Sequence, residues 1–360
     1  MGIANAETGS TTASAGTPLP QARRKNSGRG KQTPGYTGDQ MSLADIYRPV
    51  KTDLDKVEQG LKEIATTAVP PLSELLTYTL QNGGKRLRPA LTLLAGKFGR
   101  YDAPRLITMA TAIELLHTAT LVHDDIVDKS ALRRGKPTVS RAWGENTALL
   151  LGDYLFAKAG RLAATTGNIR VVELFSETLM TISAGELKQA HATFDPRQAR
   201  KEYFDWITSK TACLFAAATE SGAILAKSPE GTITALREYG VNFGIAFQIV
   251  DDVLDFVGEE TELGKPVGSD LSEGIATLPS ILFVESHPDD STVKDIIAGR
   301  RTEAVGAAIE KVRSSSAIHQ CLDIASDFIA RACRAIEPLP ENSAKHSLVE
   351  LARYIISRRK

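Results

Sequence analysis

Aromatic residues are only 6% of the 360-residue chain, cysteines number 3, and the formal net charge is +0. Each shortage excludes something. Nucleic-acid binders show a basic excess, and single-strand binders add aromatic platforms for the bases; this chain has neither. Cys213, Cys321 and Cys333 are scattered and odd in number, which excludes a disulfide framework and fits a reducing compartment, the cytoplasm. No CxxC or His/Cys spacing marks a zinc site. No uninterrupted apolar run approaches the roughly 18 residues of a membrane span, so no transmembrane segment is expected. An apolar substrate must be held inside the protein or met at a membrane surface. Strand-like alternation is almost absent, as are GxGxxG, a Walker loop and any repeat of about 20–50 residues.

Large apolar side chains are nearly missing from residues 1–41, which are rich in Gly, Ser, Thr, Pro and basic residues. Such a segment cannot offset the entropy of ordering, and a disordered tail is expected. Arg23, Arg24, Lys25, Arg29 and Lys31 read either as an anion-binding arm or as part of a transit peptide, which would move the chain to an organelle.

What is present from residue 42 onward is helical periodicity without a break, predicting one all-α domain over 42–360. Ser42 is the expected N-cap of a helix to about Ala68, stopped by Pro70 and Pro71. Further helices are expected over 72–80, 90–98, 103–128, 146–164, 169–192, 198–225, 231–256, 278–285, 290–309, 314–336 and 343–357, with 133–137 as a loop.

Two stretches carry the chemistry. In Leu121-Val122-His123-Asp124-Asp125-Ile126-Val127-Asp128 an apolar helical pattern runs into three aspartates. Asp124 and Asp128, one turn apart, share a face, and Asp125 points elsewhere. Phe247-Gln248-Ile249-Val250-Asp251-Asp252-Val253-Leu254-Asp255 repeats the arrangement, with Asp251 and Asp255 on one face. One such cluster reads equally well as a solvated helix end. Two, each in an apolar helix, need a compensating cation, because buried like charges are costly. Hard carboxylate oxygens at this spacing suit Mg²⁺, which keeps waters and bridges to phosphate. Facing each other, the two helices would cage a Mg²⁺-bound diphosphate.

Basic groups lie nearby. Gly83-Gly84-Lys85-Arg86-Leu87-Arg88-Pro89 reads as a plain basic turn or as a phosphate site with close backbone approach. Arg133 and Arg134 read as surface ion pairs or as neutralisers of phosphate charge. His117 is a core histidine or a donor to a phosphate, and His123 is read as structural. Lys210-Thr211 is an ordinary exposed pair or a ligand contact. Gly264-Lys265-Pro266-Val267-Gly268 suggests a mobile loop headed by a cation. Cys213 has no basic-neighbour pattern that would mark a nucleophile and is read as core.

In order and spacing these motifs resemble the trans-type polyprenyl diphosphate synthases, over nearly everything after the tail. The resemblance implies a helical bundle around a central cavity, a homodimer, and head-to-tail condensation of isopentenyl diphosphate with an allylic diphosphate. It implies that Asp124, Asp128, Asp251 and Asp255 are metal ligands for Mg²⁺, about three ions per active site with substrate bound. Asp252 would act directly or through water. Arg133, Lys210, Thr211, Gln248 and Lys265 would hold the allylic substrate, with Lys210 and Lys265 assisting the chemistry. Lys85, Arg88, His117 and Arg134 would hold isopentenyl diphosphate. It further implies peripheral membrane contact for product release.

The family floors its cavity with aromatic residues just before the first cluster to stop growth at short products. Here those positions are Ala119 and Thr120, so the floor is open. Deeper floors would lie up the helix at Leu116, Ile113, Ala112 and Met109, or on a neighbouring helix at Phe175, Leu179 and Met180; alternatively these are plain core residues. The reading is a product of hexaprenyl to decaprenyl length, of the kind that becomes a quinone side chain. A geranylgeranyl product is the nearest alternative. A terpene-cyclase-like lyase, a subunit of a heteromeric synthase and a non-catalytic helical scaffold are the readings from other classes.

Overall fold

The computed structural model describes residues 41–66, 69–80, 83–190, 199–258, 267–299 and 304–358. The basic cluster from Arg23 to Lys31 and the loop cation Lys265 lie outside the described residues. From Met41 onward the chain falls in one compact unit. Among the described residues, regular structure is helical except for one two-stranded hairpin, Leu132–Arg133 with Lys136–Pro137. The all-α class is therefore what the chain adopts.

The helices run Leu43–Ile46, Lys51–Thr66, Leu72–Leu80, Leu87–Ala95, Ala103–Val127, Val139–Trp143, Glu145–Thr165, Ile169–Ala190, Ala199–Ile207, Cys213–Leu225, Glu230–Val257, Ser269–Ser272, Leu278–Ser286, Thr292–Ile297, Val305–Ser314, Ala317–Ala335 and Ser343–Ser357. Ser42 caps the first, its hydroxyl accepting from the Asp45 amide at 3.2 Å. Several expected elements differ, among them the helix read over 198–225, which a π turn at Thr208–Ala212 divides. The helix read from Ser42 to Ala68 is broken by a 3₁₀ turn, Arg48–Val50, with Pro49 in its first turn. The helix read from Ala90 begins at Leu87, since Pro89 sits in a first turn whose N–H groups have no intrahelical partner anyway. The helix read over 290–309 is two, with Gly299 at φ 68° beyond the end of the first. The loop at 133–137 is the hairpin, with Arg134 at φ 52° and Gly135 at φ 74° forming a tip of the hand that matches strand twist.

Ala103–Val127 is the central helix. Asp102 caps it, and buried residues run from Leu106 to Asp125. It is apolar on all sides because it packs on Lys51–Thr66, Leu87–Ala95, Glu145–Thr165 and Cys213–Leu225. By length and composition this 25-residue helix, with mean hydropathy 1.3 over its most apolar window, is long enough to cross a membrane; 67% of that window is buried within the protein.

Cys213–Leu225 lies between Leu87–Ala95 and Glu230–Val257. Backbone meets backbone there. A Cβ on Gly222 would stand 2.2 Å from the Thr92 carbonyl oxygen, and one on Gly240 would stand 2.7 Å from that of Phe215. The aromatic core beside these contacts, Phe215, Tyr239 and Phe243, is fully buried, which stabilises by about 1.5–3 kcal/mol per side chain. This close packing brings Arg88, the 208–212 turn and the second aspartate cluster around one cavity.

Candidate active site

A cavity of about 650 Å³ opens between these helices. Lys85, Arg88, His117, Thr120, Asp124, Arg133, Arg134, Lys210, Thr211, Gln248 and Asp251 all line it. The two aspartate helices therefore contribute to one space.

The first cluster ends the central helix, with Asp128 as its C-cap. Burial raises the Asp124 carboxyl to about 6; Lys210 opposes the rise, and the charges of Glu186 and Asp128 add to it. Lys210 stands 3.9 Å from Asp124 and 3.0 Å from Glu186, a residue the motifs do not reveal. Asp125, buried at 5% exposure, accepts from Arg133 Nε at 2.7 Å, so this aspartate holds the arginine in place.

Lys210 and Thr211 do not lie in a continuous α-helix. Thr208–Ala212 is a single π turn, a wider coil closed by the Cys213 amide on the Thr208 carbonyl. Thr211 Oγ1 donates to Gln248 Oε1 at 2.7 Å, and Gln248 Nε2 donates to Asp252 Oδ1 at 2.8 Å. Asp251 stands 3.2 Å from Arg358, just beyond the last helix. Asp255 is buried and accepts from Ser269 Oγ at 2.9 Å and the Asp270 amide at 3.3 Å.

The basic wall is built differently from its plain reading. Arg86 is a strut: it pairs with Glu58 and, at 2.7 Å, with buried Glu114. Burial works against its charge, and the two glutamates outweigh that and raise its pKa. Arg88 lies 4.1 Å above the Phe215 ring and is pulled down to about 10 by burial, against the attraction of Glu114 and Asp251. It stays cationic at neutral pH, and its buried Nε finds no partner among the described residues. Burial pushes the His117 imidazole well below its usual range, and the charges of Arg88, Arg134, Arg133 and Arg86 push the same way, so it is neutral. Gly84 leaves room for Arg134: a Cβ there would meet the guanidinium at 3.4 Å, and that guanidinium donates to the Gly83 carbonyl. The Lys85 carbonyl accepts from the Tyr47 hydroxyl at 2.7 Å, while its ammonium lies 5.5 Å from the Tyr354 ring centre.

Of the five residues expected to set chain length, Thr120 lines the cavity. Ala119, Leu116, Ile113 and Ala112 are fully buried in the core around the helix. His123 contacts the Leu149 carbonyl at 3.0 Å and the Phe156 ring edge, in space that Gly152 leaves open. Glu114, Leu214, Phe247 and Arg358 also line the cavity and were not singled out as ligand contacts. Only Phe247 carried a signal, as the residue before Gln248. Arg358 ends an amphipathic helix, and nothing local marks it.

The donor chemistry fits a hard divalent cation. Among the described residues no three His, Cys, Asp or Glu side chains form a ready-made cluster. Carboxylates instead come to the cavity from two different helices, which suits an ion that keeps waters and shares oxygens with a phosphate.

A family model, polyprenyl synthetase, matches residues 69–314. Heptaprenyl diphosphate synthase component 2 of Geobacillus stearothermophilus is 39% identical over 319 residues, covering 88% of this chain and 98% of its own. The all-trans-nonaprenyl-diphosphate synthase (geranyl-diphosphate specific) of Rhodobacter capsulatus is 38% identical over 317 residues, 87% of this chain and 97% of that one. The crystal structure of a polyprenyl synthase from Caulobacter crescentus, complexed with calcium and isoprenyl diphosphate, superposes with a TM-score of 0.84 at 36% identity, over 89% of this chain and 98% of the other. The chain belongs to the polyprenyl synthetase family and is a prenyltransferase.

Proposed function

We propose that this enzyme extends an allylic diphosphate with isopentenyl diphosphate, stepwise and all-trans, to a product of hexaprenyl to decaprenyl length that serves as a quinone side chain. The observation that carries the reading is the convergence on one cavity of two carboxylates from different helices, Asp124 and Asp251, with a buried arginine, Arg88, that has an unused N–H. A metal-bound diphosphate suits the carboxylates, and a second, metal-free one suits the arginine.

Asp124 and Asp128 on one helix, and Asp251 with Asp255 on the other, would hold Mg²⁺, about three ions with substrate bound. When bound there, Mg²⁺ would supply Lewis-acid neutralisation of the diphosphate leaving group. Lys210, Arg133, Thr211, Gln248 and Lys265 orient that diphosphate and stabilise its growing charge. Lys85, Arg88, Arg134 and the neutral His117 fix isopentenyl diphosphate so that its double bond meets the allylic cation. A proton then leaves the new chain for the departing diphosphate, and no side-chain base is needed. Thr120, Leu121, Leu214 and Phe247 give the cavity an interior that keeps water from the cation. Growth of the chain parts the core beside Ala119, Leu116, Ile113 and Ala112.

The partner is a second copy of this chain. Leu149, Leu150, Met180 and Leu187 stand 49–67% exposed on two neighbouring helices, an apolar surface suited to burial between subunits. The relative named component 2 supports the other reading, a subunit of a heteromeric synthase. The cytoplasm suits the cysteines, which form no disulfide, and product leaves by peripheral membrane contact.

The test is the purified chain alone with Mg²⁺, farnesyl diphosphate and labelled isopentenyl diphosphate, with the dephosphorylated products sized by chromatography. A ladder ending at hexaprenyl or longer is expected. A product that stops at geranylgeranyl overturns the chain length. No elongation moves the heteromeric reading ahead.

A further inference from the structure

Tyr203 lies behind the cavity wall, on the Ala199–Ile207 helix that leads into the π turn, and is 3% exposed. Its phenol donates to Asp252 Oδ2 at 2.5 Å. The other oxygen, Oδ1, accepts from Gln248 Nε2 at 2.8 Å, and Gln248 Oε1 accepts from Thr211 at 2.7 Å. Asp252, 2% exposed, thus has both oxygens engaged and faces away from the cavity that its neighbour Asp251 lines. The same helix face presents Trp206, whose ring lies 5.6 Å from the Lys210 ammonium. Tyr203 and Trp206 are one turn apart on this helix, and Lys210 follows within the π turn.

A buried carboxyl and phenol pair is a poor device for stability alone, since apolar residues of the same volume do as well or better. What this pair does that apolar residues cannot is aim an amide. With Asp252 taking one Gln248 N–H and Thr211 occupying its oxygen, the Gln248 side chain has one orientation and one N–H left for the cavity. The Thr211 proton is likewise directed to Gln248, which ties the π turn to the second aspartate helix. We propose that Tyr203 is a positioning residue for the allylic-diphosphate end of the cavity, acting through Asp252 on Gln248 and Thr211. The inference rests on the assignment of that end to the allylic substrate.

The experiment is steady-state kinetics of the full chain with Tyr203→Phe, Gln248→Ala and the double variant. Tyr203→Phe should raise KM for farnesyl diphosphate about tenfold and lower kcat, with KM for isopentenyl diphosphate within about twofold of wild type. In the Gln248→Ala background the same substitution should have little further effect, because its route is already cut. Additive losses, or equal losses toward both substrates, would overturn the inference and leave a structural role. Should circular dichroism show Tyr203→Phe unfolded, Asp252→Leu carries the same test, since its side chain of similar size cannot accept from Gln248; an unchanged KM for farnesyl diphosphate would overturn the proposal there too. A wild-type chain that elongates beside unaffected variants sinks this inference alone. A wild-type chain that does not elongate sinks the site assignment with it.

Discussion

Asp124 and Arg88 are each held where water cannot solvate them fully, and each gains from a ligand of opposite sign. Replacing Asp124 by Ala removes an oxygen that faces the reacting end, and turnover should fall by about 10²-fold or more in a product assay, the scale of a lost electrostatic contact in a water-excluded site. Arg88→Leu keeps the volume over Phe215 and removes the charge. Isopentenyl diphosphate KM should rise by about tenfold or more while the melting temperature holds, because an unpaired buried cation has been replaced by an apolar group. At this scale the sequence was legible wherever chemistry came in clusters. The two aspartate motifs, the Gly-Gly-Lys-Arg-Leu-Arg run and Arg133-Arg134 led to residues that line one cavity. It was not legible where a residue's role depends on one distant partner. Arg86 is committed to Glu58 and Glu114, and Arg133 to Asp125; no local spacing shows either pairing.

Helices meet in this fold through missing side chains. Gly222→Ala would push a methyl into the Thr92 carbonyl, which is backbone and cannot step aside, so thermal unfolding should show a loss of about 1–3 kcal/mol. The later helices are joined by charge as well. Lys311 donates to Asp290 at 2.7 Å and holds its carboxyl well below the usual range, linking Thr292–Ile297 to Val305–Ser314. The native state therefore binds that proton less readily than the unfolded chain. Its contribution is present above the ordinary carboxylate pKa and fades as pH falls through the lower, native one. Asp290→Asn should cost under about 1 kcal/mol at neutral pH, since both groups are partly in water, and the difference in melting temperature should shrink below about pH 4. Helix existence was readable from periodicity, and breaks within helices less so. Pro49 interrupts the first helix by removing an N–H, which a sequence does announce. The π turn at Thr208–Ala212 leaves periodicity on either side intact and carries no proline or glycine to mark it.

For the whole molecule, the exposed leucines and Met180 should be covered in solution, and light scattering should give twice the chain mass. Leu150→Glu with Leu187→Glu should shift that value toward a single chain without unfolding it. The all-α class followed from the absence of alternation over the entire length, a signal that grows with chain length. The cavity itself did not, because its walls come from segments far apart in sequence.

The central helix has one more consequence, for how the chain is made. Ala103–Val127 has the length and apolarity of a bilayer span, and the helices that cover it, Glu145–Thr165 and Cys213–Leu225, are synthesised after it. Between its emergence from the ribosome and the arrival of its neighbours, the nascent chain displays a segment that lipid and chaperones both recognise. A fragment ending shortly after residue 140 should insert into vesicles that the folded chain touches only at the surface.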